Sequence, residues 1–178
     1  MSGSQPAYLV INGWTVFAHP LFLAQLEATV QKVEVLKEKD PIGYVKKNAN
    51  KRLAAVVKLA FDVIPQDPTR PEYRQGITLG DSYKHWFRAK FFQQYRLFFR
   101  YHAPSKVIVL AWVNDEDTKR AYESGADAYR VLRRMLASGH PPDDWNQLLK
   151  EAKPAAERLM SSVSSPKDLD SRVPLIYK

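Results

Sequence analysis

WFRAKFFQQYRLFFRYH, residues 86–102, is the stretch that decides the fold. It is the most aromatic part of the chain, it carries Arg88, Lys90, Arg96 and Arg100, and it contains no acid. Asp and Glu stay absent over the wider window from Ser82 to Asn114, which adds Lys84 and Lys106. The runs on either side of Phe92-Gln93-Gln94 have the ring-rich composition of strands, and three residues suffice for an antiparallel hairpin connection. Ala103-Pro104-Ser105 makes a second short connection into VIVLAWVN. A meander is therefore predicted, with strands at about 84–91, 95–102 and 106–114.

Side chains along a strand alternate between two faces. His85, Phe87, Ala89 and Phe91 share one face with Tyr95, Leu97, Phe99 and Tyr101. The other face collects Lys84, Arg88, Lys90, Arg96 and Arg100, with His102 and the rings of Trp86 and Phe98. The first face is the expected core. The second is expected to stay open as a groove, because covering it would bury unpaired charge. Its cations suit phosphates and its rings suit base stacking, the chemistry of single-stranded nucleic-acid binding. Like charges side by side repel, so an ordinary solvated face would mix in acids.

Outward from the meander, the N-terminal side is helical. AYLVINGWTVF (7–17) reads as a short extended lead-in broken at Asn12-Gly13, and His19-Pro20 precedes a helix at 21–39. Asp40-Pro41 is expected to end that helix and to open a second, running to about Val63. Val45, Ala49, Leu53, Val56, Val57, Ala60 and Ile64 form the second helix's apolar stripe, opposite a basic face with Lys46, Lys47, Lys51, Arg52 and Lys58. A proline- and glycine-rich loop follows, of a length that is often functional or mobile. After the meander, Asp115-Glu116-Asp117 suits the start of a helix from Thr118, Gly139 a helix C-terminus, and Asp143/Asp144 the start of a last helix. That helix is expected to break at Pro154 and resume to about Ser162, before a flexible tail from 164. The expected architecture is α+β: an N-terminal helical hairpin on a small antiparallel sheet, with further C-terminal helices, in one domain over 1–163.

Composition narrows the function. The chain has 178 residues, no cysteine and a formal net charge of +8. That balance favours a polyanionic partner and leaves no disulfide or thiolate metal site. No apolar run is long enough to span a bilayer and no secretion signal opens the chain, so a cytoplasmic location is expected. The four histidines are scattered, so neither metal nor cofactor is expected. A metal-free ribonuclease needs a group to deprotonate the ribose 2′-hydroxyl, cations to stabilise the phosphorane-like transition state, and an acid for the leaving 5′-oxygen. Arg88, Lys90, Arg96 and Arg100 suit the second task. His102, His85, Tyr101 and Tyr122 are the candidates for proton transfer, with only His102 on the cationic face. Lys84, Trp86 and Phe98 are the candidate RNA contacts.

NGWTVFAHPLF (12–22), KDP (39–41), WFRAKF (86–91), YRLFFRY (95–101), VIVLAWVNDEDT (107–118), DAY (127–129) and GHPPDDW (139–145) together resemble the RelE superfamily of bacterial toxins, and within it the YhaV toxins. The resemblance implies a toxin of a type II toxin–antitoxin system: a metal-independent endoribonuclease that cleaves mRNA, often at the ribosome, and arrests growth. It implies a cognate PrlF-like antitoxin with an AbrB-type swapped-hairpin DNA-binding fold, and operator DNA bound only through that antitoxin. It matches the family's paired strand cations to Arg88 and Lys90, its Tyr-Arg-Leu arginine to Arg96, and the tyrosine of the following helix to Tyr122. Where the RelE pattern has a further arginine after the last strand, this chain reads Asn114-Asp115-Glu116. Either Arg100 takes that role or an acid there serves as general base. A gyrase-poisoning toxin of the same fold is disfavoured by the retained cations. A non-catalytic RNA- or ribosome-binding module would use the same face.

Overall fold

Asn12 and Gly13 both adopt positive φ, 51° and 81°, the left-handed pair that a two-residue hairpin turn requires. The segment expected to be a lead-in is therefore a hairpin of β1 (Leu9–Ile11) and β2 (Trp14–Ala18). The computed structural model describes residues 8–118 and 127–163 of the chain. His19 closes β2 and caps the first helix, its Nδ1 accepting from the Leu21 amide at 3.2 Å, while Pro20 takes the first helical position, where no N–H is needed. α1 (Pro20–Lys39) ends where the Asp40 N–H donates to the Leu36 carbonyl.

Asp40 does not open the next helix. Its carboxylate accepts from the Gly43 amide at 2.9 Å, and a 3-10 turn at Gly43–Lys46 swings the chain before α2 (Asn48–Lys58) begins. α2 continues through one π turn (Leu59–Val63) into α3 (Ile64–Gln66). Leu53, Val56, Val57, Ala60 and Ile64 are buried, as their spacing predicts. The following segment is pinned down. The Gln75 side chain donates to the Tyr83 carbonyl and accepts from the Leu79 amide, both at 2.9 Å, and Tyr73 and Leu79 are buried. A 3-10 turn at Asp81–Tyr83 takes the place of the expected strand start, so Lys84 precedes the strand and ion-pairs with Asp81 at 3.3 Å.

The meander strands are β3 (Phe87–Phe91), β4 (Tyr95–His102) and β5 (Val107–Val113). The sheet has five strands in the order β1-β2-β5-β4-β3. β2 runs parallel to β5, so the sheet is mixed rather than purely antiparallel. The helices between β2 and β3 supply the long excursion that a parallel pairing needs. Phe98 lies opposite Trp112 and Phe99 opposite Leu110, which leaves Ala111 as an extra residue and turns both Ala111 and Trp112 to the same side.

Both sheet faces are covered. α1, α2 and α3 pack on the face of Ala89, Leu97 and Phe99. The second face, expected to be open, carries α4 (Ala128–Ala137) and α5 (Trp145–Ala152). Their Tyr129, Leu132, Leu136 and Leu148 form a second core with Phe17, Trp86, Phe98 and Trp112. Trp86 and Phe98 have 0 % of their surface exposed, so neither ring can stack on a base. Burying such rings and leucines stabilises by roughly 1.5–3 kcal/mol each, which favours covering the face despite its charges. Asp127 and Asp144 cap the two helices, accepting from the amides of Tyr129 and Gln147 at 3.1 and 2.9 Å. Gly139 ends α4 at φ 80°. A 3-10 turn at Lys153–Ala155 leads into α6 (Ala156–Ser162). After β5 the described residues form a 3-10 turn at Glu116–Thr118. The tail expected from 164 lies outside the described residues.

Candidate active site

The covering helices leave the cations with partners of a particular kind. β3 and β4 pair Arg88 with Phe98 and Lys90 with Arg96 across the hairpin, and α4 lays Tyr129 against Phe98, edge to face at 5.4 Å. The Tyr129 hydroxyl thereby reaches both arginines. It accepts from Arg88 Nε at 2.9 Å and from Arg96 Nε at 3.2 Å. Arg88 Nη1 also donates to the Glu72 carbonyl at 2.6 Å, and Arg96 Nη1 to the carbonyls of Gln93 and Tyr95 at 2.7 and 2.9 Å. Every acceptor is neutral. No carboxylate among the described residues pairs with either guanidinium. Two like charges on the order of 6 Å apart repel by roughly 3 kcal/mol at an effective dielectric of 20. The Tyr129 hydroxyl takes the place between them, and an anion held beside them relieves that repulsion and meets guanidinium groups already fixed in place. Lys90 stands exposed beside them on β3.

Arg100 is different. Its guanidinium lies between the indoles of Trp86 and Trp145, 5.5 and 5.4 Å from their centroids, and its Nη1 donates to the Asp143 carbonyl. Burial pulls its pKa below the ordinary arginine value, while the charges of Asp143 and Asp144 oppose that shift. It is thus a packed, charge-compensated cation, about 13 Å from Arg96 along the strand. Asp143 also binds His85 Nε2 at 2.6 Å and accepts from Trp86 Nε1 at 2.8 Å. The turn before β3 brings His85 to the same side as Trp86, which strict alternation does not predict. His102 is exposed at the far end of β4, against Trp145.

The acids after β5 turn to other partners. Tyr95 donates to Glu116, and Asp115 accepts from the Asp117 amide and the Thr118 hydroxyl. Burial first, and the Glu116 contact second, push the Tyr95 pKa up to about 12. Asn114, wholly buried, ties this turn to the arginine site: its Oδ1 accepts from the Arg96 amide at 2.6 Å, and its Nδ2 donates to the carbonyls of Gln94 and Thr118 at 3.0 and 2.8 Å. A cavity of about 270 Å³ lies on the opposite side of the sheet, lined by Gln25, Thr29, Lys32, Arg52, Asp115 and Glu116. Its charges are mixed, so it suits a phosphate less well than the arginine pair does.

Of the residues singled out in the sequence, the structure brings Arg88, Lys90 and Arg96 together and sets Arg100 and His102 apart at the other end of the face. Lys84 lies outside the strand, and Tyr122 lies outside the described residues. Tyr129 was missed, although it sits in the DAY motif, where an N-cap aspartate two residues before an aromatic fixes the ring on the first turn. Among the described residues, no group of three His, Asp or Glu side chains converges as metal ligands would, and no helix is long and apolar enough to cross a membrane.

A family model described as a toxin with endonuclease activity, of toxin–antitoxin system, matches residues 16–153, a span that contains the whole arginine–tyrosine site. The chain belongs to the YhaV toxin family. It is 47% identical over 145 residues to the ribonuclease toxin YhaV of Escherichia coli strain K12, covering 80% of this chain and 94% of that one. The YhaV toxins of Escherichia coli O157:H7 and of strain CFT073 match to the same extent. No solved structure matches the chain significantly. As a YhaV-family toxin it has endonuclease activity and an antitoxin as partner.

Proposed function

We propose that this toxin's endonuclease activity is directed at RNA, that it proceeds without a metal ion, and that Arg88, Arg96, Lys90 and Tyr129 form its centre. The observation that carries the reading is the single buried hydroxyl of Tyr129 shared by two arginines that no carboxylate among the described residues neutralises. Arginines, a lysine and a phenol hold an anion, not a cation. The relatives named ribonuclease toxin support RNA as the substrate. In the reaction the ribose 2′-oxygen attacks the adjacent phosphorus and loses its proton to water, the bond from phosphorus to the 5′-oxygen breaks, and the proton that Tyr129 gives the 5′-oxygen is replaced from solvent. The products are a 2′,3′-cyclic phosphate and a 5′-hydroxyl. The two guanidinium forks and Lys90 take up the charge on the non-bridging oxygens. Among the described residues the Tyr129 hydroxyl is the ionisable group that touches both guanidinium groups, and it is assigned to the leaving 5′-oxygen. Both guanidinium groups are placed to stabilise its oxygen as the proton departs.

The helices before a three-stranded meander also support a RelE-like reading of the fold. Cleavage of mRNA, with or without the ribosome, and restraint by a PrlF-like antitoxin that carries the pair to operator DNA belong to the same proposal. The test is end-labelled RNA incubated with the purified protein in EDTA, with and without ribosomes, beside Arg88→Ala. Cleavage by the parent alone, leaving 5′-hydroxyl and cyclic-phosphate ends, is the expected result. Cleavage that needs added metal, or that survives in Arg88→Ala, would overturn the assignment. RNA bound but never cut would leave a binding module.

A further inference from the structure

Arg100 and His102, two positions apart on β4, belong to a column of flat groups. Trp86 lies at its inner end, fully buried. The Arg100 guanidinium sits between Trp86 and Trp145. Trp145 then stacks on His102, with ring centroids 5.9 Å apart and planes inclined by 28°. The order Trp86, Arg100, Trp145, His102 runs from the core to solvent and ends on an exposed ring.

That ring is fixed in orientation. His102 Nδ1 faces the Ser105 amide at 3.3 Å and the Ser105 hydroxyl at 2.6 Å. A backbone N–H can only donate, so Nδ1 is the acceptor and the neutral ring carries its proton on Nε2. A surface histidine ordinarily samples several rotamers. This one is held by the turn on one side and by an indole on the other, so a further plane laid against it costs little additional ordering. Its Nδ1 is committed to Ser105, and the strand places it about 20 Å from Arg96. Both facts turn it away from proton transfer at the arginine site.

We propose that His102 is a nucleobase platform: the exposed end of this column takes an unpaired base of single-stranded RNA, several nucleotides from the phosphate bound at Arg88 and Arg96. The proposal rests on the reading of RNA as substrate. Single-stranded RNA offers unstacked flat groups tethered to a phosphate chain, the combination that a stacking ring and a separate cationic site on one strand would recognise. It also replaces the base-stacking role that buried Trp86 and Phe98 cannot fill.

The test is equilibrium binding of a fluorescein-labelled, 2′-O-methyl single-stranded oligonucleotide, whose blocked hydroxyl prevents cleavage. Loss of one aromatic–base stack weakens binding by on the order of fivefold to a hundredfold. His102→Ala should show that loss, and His102→Phe, which keeps a ring but no ring nitrogen, should restore binding. In cleavage kinetics the alanine defect should fall on KM. An oligonucleotide with a single abasic position, moved along the sequence, should reproduce the loss at one position and add nothing to it in His102→Ala. Unchanged binding by His102→Ala would overturn the platform. So would binding retained in both variants with cleavage lost in both, the pattern of a proton-transfer group. Arg88→Ala is measured alongside. If it too binds and cleaves normally, the RNA reading itself falls; if it is defective beside a normal His102→Ala, only the platform falls.

Discussion

Tyr129→Phe removes one oxygen, and with it the acceptor that Arg88 and Arg96 share. The ring keeps its edge-to-face contact with Phe98 and its place among Leu132 and Trp112, so the packing survives. Two charge-assisted hydrogen bonds do not, at 2.9 and 3.2 Å. Arg96 is 7 % exposed, so little water can replace its lost partner, and the cost is roughly 1.5–3 kcal/mol. Arg88 is half-buried; water takes over much of its bond, and its share is below about 1 kcal/mol. Together the variant should lose about 2–4 kcal/mol of stability, read as a lower urea midpoint at unchanged slope. Its single-turnover cleavage should fall by about a hundredfold or more, since the variant lacks the proton donor assigned to the leaving 5′-oxygen. RNA affinity should change far less, because all the cations remain. A variant as stable and as active as the parent would refute the shared acceptor. Stability lost at full cleavage rate would confine Tyr129 to a structural role. The double variant with Arg88→Ala should lose less than the sum of the two single variants, since both remove the same bond.

Three further outcomes are expected. RNA affinity should fall with salt at a log–log slope of about −2 for three phosphate contacts on a single strand, and Lys90→Ala should flatten it, as titrated by anisotropy. Burial holds the buried His19 below its ordinary value of 6.5, with His140 adding to that effect and the Glu151 hydrogen bond opposing it. The unfolded chain therefore takes up the proton first as pH drops. Stability should be fully present above pH 6.5 and decline below it, and His19→Asn, which can keep the helix cap, should remove that part of the decline in denaturation at pH 7.5 and 5.5. Asn114→Asp should destabilise more than Asn114→Ala by thermal unfolding, because it turns a carboxylate oxygen toward the Gln94 and Thr118 carbonyls, where an amide now donates.

The meander, both of its turns and the apolar stripe of α2 were legible because each depends on local periodicity. The faces of β3 and β4 were legible too: Ala89, Leu97 and Phe99 are in one core and Trp86 and Phe98 in the other, as alternation requires. What alternation could not supply was the cover. Two large rings among the cations were themselves a core signal, and Val131, Leu132, Met135 and Leu136 offered a helix face to meet them. The expectation of an open groove assumed that covered arginines would be unpaired. The fold meets that objection for Arg88 and Arg96 with backbone carbonyls and a tyrosine hydroxyl, and for Arg100 in part, with one backbone carbonyl and two indoles while its Nε stays buried without a partner among the described residues; a charge count reveals none of this. The parallel pairing of β2 with β5 was invisible for a related reason: it joins distant segments with no local mark. Asp40 misled because the same residue that caps a helix start can close a turn through the Gly43 amide.

That parallel pairing also sets a timetable. Thr15 finds its neighbour in Val107, and the arginines of β3 and β4 find theirs in Tyr129. Contacts so far apart in sequence form late, and a chain emerging from its N-terminus can build helices long before it can close this sheet. The two arginines have no common anchor until residue 129 has left the ribosome. The arginine–tyrosine site proposed to act on RNA is thereby incomplete during most of the chain's own translation.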